Sequence, residues 1–294
     1  MNYLKNKIDF VVLVSVTMAN SNGDPLNGNR PRTNYDNLGE ISDVCIKRKI
    51  RNRLQDMGQH IFVQSDDRCD DGCKSLSDRA SKVLGGVKDR EEYAKRACEE
   101  WMDVRSFGQV FAFKEKDKKT GEGVSVGIRG PVSIHQALSV SPVEIESMQI
   151  TKSVNGKTPD GKEEEGEGTG KRSSDTMGMK HFVRFGLYLL KGSVNVQLAQ
   201  KTGFSQEDAN LLREALRTLF VNDVSSARPE GSMEVCKLYW WQHDCPIGQY
   251  SSAKVHRSVQ VSLKPGIEQP ASFQDYDVVL ETLPGLACEE IDGI

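Results

Sequence analysis

The chain has 294 residues, 37% of them hydrophobic and 28% charged, with a formal net charge of −3 at pH 7. That length can bury a substantial core as one large domain or two small ones, and the near-neutral balance argues against a protein that coats nucleic acid by bulk positive charge. No apolar stretch approaches the ~20 residues needed to span a bilayer. The seven scattered cysteines (45, 69, 73, 98, 236, 245 and 288) fit reduced thiols in a cytoplasm better than a disulfide framework.

The first element is a strand-like run from Ile8 to Thr17, in which Phe10-Val11-Val12-Leu13-Val14 reads as a central strand covered on both faces. Asp9 within the run, and its direct passage into a polar loop, set it apart from a secretory signal. The loop, Asn20 to Arg32, is rich in amides, glycine and arginine. Arg neutralises phosphate, Asn amides bond to sugars and base edges, and Gly lets a backbone approach closely. Taken alone, such a loop is equally a plain surface turn. A cationic helix follows, with Ser42 as N-cap. Ile46, Ile50, Leu54 and Met57 form its buried stripe, and Lys47, Arg48 and Arg51 are expected to face outward. Lys47 to Arg53 holds five cations. Strand, loop and helix together point to a local nucleic-acid groove on a near-neutral body.

Residues 60 to 104 read as an added module: a polar loop from Ser65 to Lys74, a short helix with Leu76, Ala80, Val83 and Leu84 broken at Gly85-Gly86, and a second helix carrying Tyr93, Ala94, Ala97, Cys98 and Trp101. Val110 to Phe113 and Val124 to Ile128 suggest two strands around a turn at 118–121. Residues 153 to 172 hold many glycines and charges and a single apolar residue, so they cannot form a core. They read as a projecting loop or hairpin tip between strand-like patterns over Glu144 to Thr151 and Phe182 to Leu190. The Val194, Val196, Leu198 alternation predicts a half-buried strand. A helix from near Ser205 should bury Ala209, Leu212, Leu216, Leu219 and Phe220, and strands are expected over Val235 to Trp241, Val255 to Leu263 and Asp277 to Leu283. This order is a split βαβ pattern with large insertions and no internal repeat, which gives an α+β, ferredoxin-like core of the kind that RNA-recognition modules use.

Other motifs carry less. The cysteine pair in Asp66 to Cys73 stands alone, and as a calcium loop this stretch lacks an oxygen ligand at Cys69 and the closing Glu, so it reads as a polar loop. Gly156-Lys157-Thr158 has Thr151 where a phosphate-binding loop needs its first Gly. The histidines at 60, 135, 181, 243 and 256 are isolated in sequence. Tyr239, Trp240 and Trp241 could offer a stacking platform, but neighbours on a strand point to opposite faces, so at least one Trp belongs to the core.

With the elements in place, the chain resembles the Cas7 backbone subunits of type I CRISPR surveillance complexes (Cascade), in particular the type I-C branch. The resemblance rests on Asn22-Gly23-Asp24-Pro25 with Gly28-Asn29-Arg30-Pro31-Arg32, on Ser42 to Asn52, and on Asp103-Val104-Arg105-Ser106-Phe107-Gly108. Gly130-Pro131-Val132, Thr176-Met177-Gly178-Met179-Lys180-His181 and Leu198 to Arg228 extend it over most of the chain.

The resemblance implies one modified RRM (ferredoxin-like) domain over residues 1–294, shaped as a right hand. The core is the palm, residues 60–104 are a helical fingers-type module, and residues 150–176 are a projecting thumb. It implies CRISPR RNA (crRNA) as ligand, with target DNA, further copies of the chain in a helical filament and other Cascade subunits as partners, all in the cytoplasm. No cofactor, metal or catalytic residue is implied. The protein would hold the guide's backbone and leave sequence reading to base pairing, a division of labour known from another RNA-guided system. Residue by residue, Asn20, Asn22, Asn27, Asn29, Arg30 and Arg32 map to the loop against the guide. Lys47, Arg48 and Arg51 map to the palm helix beneath its phosphates, and Met177 and Lys180 to the base of the thumb, near Met179. The acidic run Glu163 to Glu167 suits phosphate poorly, so its tip is not expected to touch RNA. The alternative is enzymatic: type III relatives cut target RNA with a loop aspartate and a divalent metal, and Asp24 and Asp36 lie in the equivalent region. Asp24, followed by Pro25, reads as a turn residue.

Overall fold

The computed structural model describes residues 3–112, 125–151 and 177–294. Its centre is β1 (Ile8–Ala19), followed by the short β2 (Gly23–Asp24) and β3 (Arg30–Pro31), then β4 (Leu38–Ile41) and α1 (Asp43–Asp56). Three helices, α2 (Leu76–Leu84), α3 (Arg90–Glu100) and α4 (Met102–Phe107), lead into the paired strands β5 (Gly108–Ala112) and β6 (Ser125–Arg129). Next come β7 (Val132–Ile134), β8 (Ala137–Pro142), β9 (Ile145–Thr151) and the long β10 (Met177–Val194). The rest comprises α5 (Val196–Thr202), α6 (Gln206–Arg217), β11 (Met233–Gln242), α7 (Ser252–Arg257), β12 (Val259–Leu263), β13 (Tyr276–Leu280) and β14 (Cys288–Asp292). The fold is α+β, built on an antiparallel sheet of order β14-β11-β1-β10-β8-β4, with β7 and β9 also paired to β10.

Alternation along β1 explains how both of its faces are buried. Phe10, Val12, Val14 and Val16 enter one core with Ile46, Ile50 and Leu54 of α1 and Ala209, Leu212, Ala215 and Leu216 of α6. Val11 and Leu13 enter a second core, closed by Tyr239, Trp241, Val255, Val259 and Tyr276. Both helices start where the sequence says: Ser42 Oγ accepts from Cys45 N, and Ser205 and Asp208 form a capping box. A third core gathers Phe62, Ala80, Leu84, Ala97, Cys98, Trp101 and Val104, and takes in Phe111 and Val126 of the β5–β6 pair. No helix among the described residues is long and apolar enough to cross a membrane.

Two expected strands are corrected. The strand expected through Val196 and Leu198 is helix α5, because Asn195 Oδ1 caps it by accepting from Leu198 N (2.9 Å), and Val196 and Ala199 then bury at helical spacing. The strand expected from Val255 begins at Val259, since Ser251 caps α7 first. The acidic end of the chain, where no element was expected, is a strand, β14, whose Ile291 packs on the first core while Glu289 and Glu290 stay outside. Tyr239, Trp240 and Trp241 are all buried, in cores on both faces of β11, so the expected core role extends to both Trp side chains and no stacking platform forms.

The histidines are less isolated than their spacing suggests. His243 Nε2 lies 2.8 Å from Oδ2 of the buried Asp9, which also accepts from Lys7 Nζ at 2.8 Å. His256 Nε2 donates to Gly192 O (2.9 Å). Burial outweighs that bond and pulls the His256 pKa below its usual value of 6.5. The depressed folded-state value means that the unfolded chain binds a proton at a pH where the folded ring refuses it. Stability is therefore expected to be full above pH ~6.5 and to fall as pH drops through the folded pKa. Urea midpoints taken across this range check it, and His256→Gln, which keeps an N–H for Gly192, should flatten the decline.

Candidate nucleic-acid interface

The polar loop leaves the sheet through Met18, a non-glycine residue at φ 51°, after which Ala19 turns back into the first core. Asn20 is buried. Its N–H donates to Ala227 O (2.9 Å) and its Nδ2 to Asn29 O (2.7 Å), so it is a strut beneath the loop. Asn22 Oδ1 accepts from both the N–H (2.9 Å) and the Oγ (2.8 Å) of Ser42, fastening the loop to the N-cap of α1.

Above these struts β2 and β3 form a tight hairpin, with Asp24 opposite Arg30. Asp24 Oδ1 caps the single 3-10 turn Pro25–Asn27 by accepting from Leu26 N (3.2 Å). Gly28 then takes φ 58°, a left-handed conformation that glycine adopts without steric cost. The turn lifts Leu26, Asn27 and Asn29 into solvent. Arg32 Nη2 reaches Asp24 Oδ1 at 3.3 Å, with about a third of each side chain exposed. Arg30 Nη1 donates to Ser147 Oγ (3.2 Å), and that oxygen lies 2.8 Å from His181 Nδ1. Ser147 pairs with His181 in the β9–β10 ribbon, so the hairpin is hydrogen-bonded to the ribbon's base. Lys180, opposite Met148, is the next residue along β10 and belongs to the other face of the ribbon. Met177 pairs with Thr151 at the ribbon's outer end. Residues 152–176, with Gly156-Lys157-Thr158, Glu163 to Glu167 and nearly all of the expected thumb, lie outside the described residues, as does the turn at 118–121.

The basic helix departs from expectation: its cations are tethered within the chain instead of facing outward. Lys47 Nζ pairs with Asp43 one turn away (2.9 Å). Arg48 Nη1 donates to Val63 O (2.6 Å), and burial, with Arg51 alongside, lowers its pKa. Arg51 Nε donates to Asp103 Oδ2 (2.9 Å) beneath the Phe107 ring. Lys49, only 4% exposed, is ion-paired to Asp223, which also binds Arg228 Nε (3.0 Å). Arg53 Nε donates to Thr218 Oγ1 (2.7 Å). The helix is flanked by residues 61–63 and 103 on one side and 218–223 on the other. A single apolar stripe, read by periodicity, does not reveal such neighbours.

The Asp103 to Gly108 motif is where these parts meet. Asp103, buried, accepts from Phe62 N (2.7 Å), Val63 N (3.1 Å) and Arg51. Arg105 grips Asp208 of the α6 capping box with two bonds, at 2.9 and 2.8 Å, and also donates to Cys98 O (2.6 Å). Gly108 and Gly130 pack backbone to backbone, so a Cβ on Gly130 would collide with the chain at Phe107 and Gly108. Elsewhere, the Asp71 carboxylate is held by Arg79, which keeps its pKa well below the usual range. Among the described residues no group of three or more His, Cys, Asp or Glu side chains is placed to hold a metal ion. Ser147, Asp223 and Arg228 border the site although no spacing in the sequence pointed to them, and His181, which the sequence placed in a motif, joins them.

The site is thus an α+β scaffold carrying a hairpin of exposed amides and half-buried arginines, pinned between a helix cap and a strand ribbon. The family model described as CRISPR-associated protein Cas7 matches residues 6–281, and the chain belongs to that family. A curated Haloferax volcanii protein, also described as CRISPR-associated protein Cas7, is 29% identical over 225 residues. The alignment takes in 70% of this chain and 62% of the relative, so less than two thirds of that protein's length is covered. Among solved structures, a chain of a pre-nicking CRISPR RNA-guided surveillance complex aligns at 16% identity over 90% of this chain and 84% of its own, with a TM-score of 0.48. A chain of another CRISPR RNA-guided surveillance complex aligns at 16% identity over 89% of this chain and 78% of its own, with a TM-score of 0.46.

Proposed function

We propose that the chain is a non-catalytic backbone subunit that binds crRNA, polymerises along it in a type I-C surveillance complex, and presents the guide for pairing with target DNA in the cytoplasm. The observation that carries this reading is the hairpin at residues 23–31 of a Cas7-family chain, which holds Asn27, Asn29 and Arg30 in fixed positions at the surface, with Arg32 just beyond it. Those four residues meet RNA directly. Asn20 and Asn22 act through the hairpin they hold. Lys47, Arg48 and Arg51 contribute positive potential beneath the path even while bonded within the chain, and Met177 and Lys180 flank it on the ribbon.

The strand order β11-β1-β10 with β7 and β8, and α1 and α6 packed on one face, supports an RRM-like palm. The separate core around Phe62 and Trp101 supports reading residues 60–104 as a fingers-type insertion. Residues 150–176 are the thumb of this proposal, and other Cascade subunits and further copies of the chain its neighbours. Imaging and sizing of the purified protein with guide RNA tests it: a regular helical array is expected, and a lone globule on each RNA would refute the filament.

The alternative is a metal-dependent ribonuclease using Asp24 or Asp36. The scaffold reading is favoured because Asp24 Oδ1 is already shared by the Leu26 N–H and Arg32. No cleavage of complementary RNA is expected with magnesium. Cuts at regular intervals that vanish in Asp24→Ala or Asp36→Ala would overturn the non-catalytic assignment.

A further inference from the structure

We infer that Tyr35 is a stacking platform for one nucleobase of a single-stranded RNA, a base-binding site beside the hairpin's arginines; this rests on the function proposed above. Past β3 the chain makes a second hairpin, closed by a bridge between Thr33 and Gly39, with Tyr35 at its tip. Among the described residues Tyr35 is the only Phe, Tyr or Trp side chain that is exposed, and it is completely so. Among the described residues even Tyr239, Trp240 and Trp241 are buried, while this ring stands in water.

The tip is also built to stay still. Asn34 Oδ1 accepts from Asp36 N (3.0 Å) and Leu38 N (2.9 Å), and Asn34 N donates to Leu38 O (3.0 Å). Asn37 closes the turn at φ 58° with its N–H on Asn34 O (3.2 Å). Val143 N donates to Asn37 O (3.0 Å), anchoring the tip to the segment between β8 and β9. Gly39 lies so close to the Tyr188 ring that a Cβ would collide with it. A ring carried on so fixed a turn gives contact area while little freedom is lost on binding.

Arg30 and Arg32 lie on the segment leading into this turn, so phosphate-binding groups and an open aromatic face share one short ribbon. Single-strand binders combine the same two parts, a cationic track for the backbone and a ring for the bases. Stacking recognises the π-face common to all bases and is therefore compatible with any guide sequence.

The test compares the full chain with Tyr35→Ala and Tyr35→Phe, using a short single-stranded RNA and an abasic oligomer of the same length across a salt series. Tyr35→Ala is expected to weaken RNA binding about tenfold to a hundredfold with an unchanged salt slope, Tyr35→Phe to bind as wild type, and all three to bind the abasic oligomer alike. Equal RNA affinity for wild type and Tyr35→Ala overturns the inference while leaving the proposed function standing. So does an equal loss on the abasic oligomer, or an effect confined to the size of the assembly, which would assign the ring to contact between protein copies. Wild type that binds neither oligomer sinks the proposed function and this inference together.

Discussion

Replacing Asp103 with alanine is expected to destabilise the fold by about 3–5 kcal/mol, the range for removing one partner of a buried ion pair. The carboxylate is 1% exposed and accepts three bonds, from Arg51 and from the N–H groups of Phe62 and Val63. Its loss leaves two backbone donors without a partner, and Arg51, with 13% of its side chain exposed, without its counter-charge. Asp103→Asn should cost nearly as much, because an amide turns one acceptor into a donor facing N–H groups. Urea midpoints of the two variants measure this. A loss below about 1 kcal/mol, the worth of an exposed pair, would show that the junction is not a structural pivot.

The second large effect concerns affinity. Arg30→Gln with Arg32→Gln is expected to weaken binding of single-stranded guide RNA by about two to four orders of magnitude at low salt, taking about 1.5–3 kcal/mol for each charge-assisted bond. The slope of log affinity against log salt should fall by about 1.4, since each phosphate contact on a single strand contributes about 0.7. Both side chains are partly exposed and their protein partners are weak: a serine hydroxyl for Arg30 and a partly exposed carboxylate for Arg32. The fold should therefore survive. Arg51→Gln offers the contrast, because its first effect should be on stability through Asp103. A double variant at 30 and 32 with wild-type affinity and slope would remove the hairpin from the RNA path.

What was legible in the sequence follows from how local each signal is. β1 declared itself through five consecutive apolar residues, α1 through Ser42 and the Ile46, Ile50, Leu54 stripe, and α6 through Ser205 and the Ala209, Leu212, Leu216 stripe. Local competition hid α5, where the Asn195 cap overrode an alternating pattern, and β14, where acidic residues masked the single inward Ile291. The candidate site was legible as composition and illegible as geometry. Asn20 and Asn22 are amides turned inward as struts, while Asn27 and Asn29, the same residue type in the same loop, are exposed. Arg48 and Arg51 read as free cations because their partners, the Val63 carbonyl and Asp103, stand 15 and 52 residues away.

β10 has one further consequence. Its 18 residues belong to two neighbourhoods in succession: Met177 to Val183 pair with β9, and from Val183 onward the strand is laced to β1. At about 3.3 Å per residue it is a rod of nearly 60 Å, a large part of it clamped in the molecule's centre. Tilting the outer portion would break ladder bonds or bend the clamped portion, so its angle is inherited from the twist of the central sheet. The direction of the β9–β10 ribbon, as far as Thr151 and Met177, is therefore a property of the core.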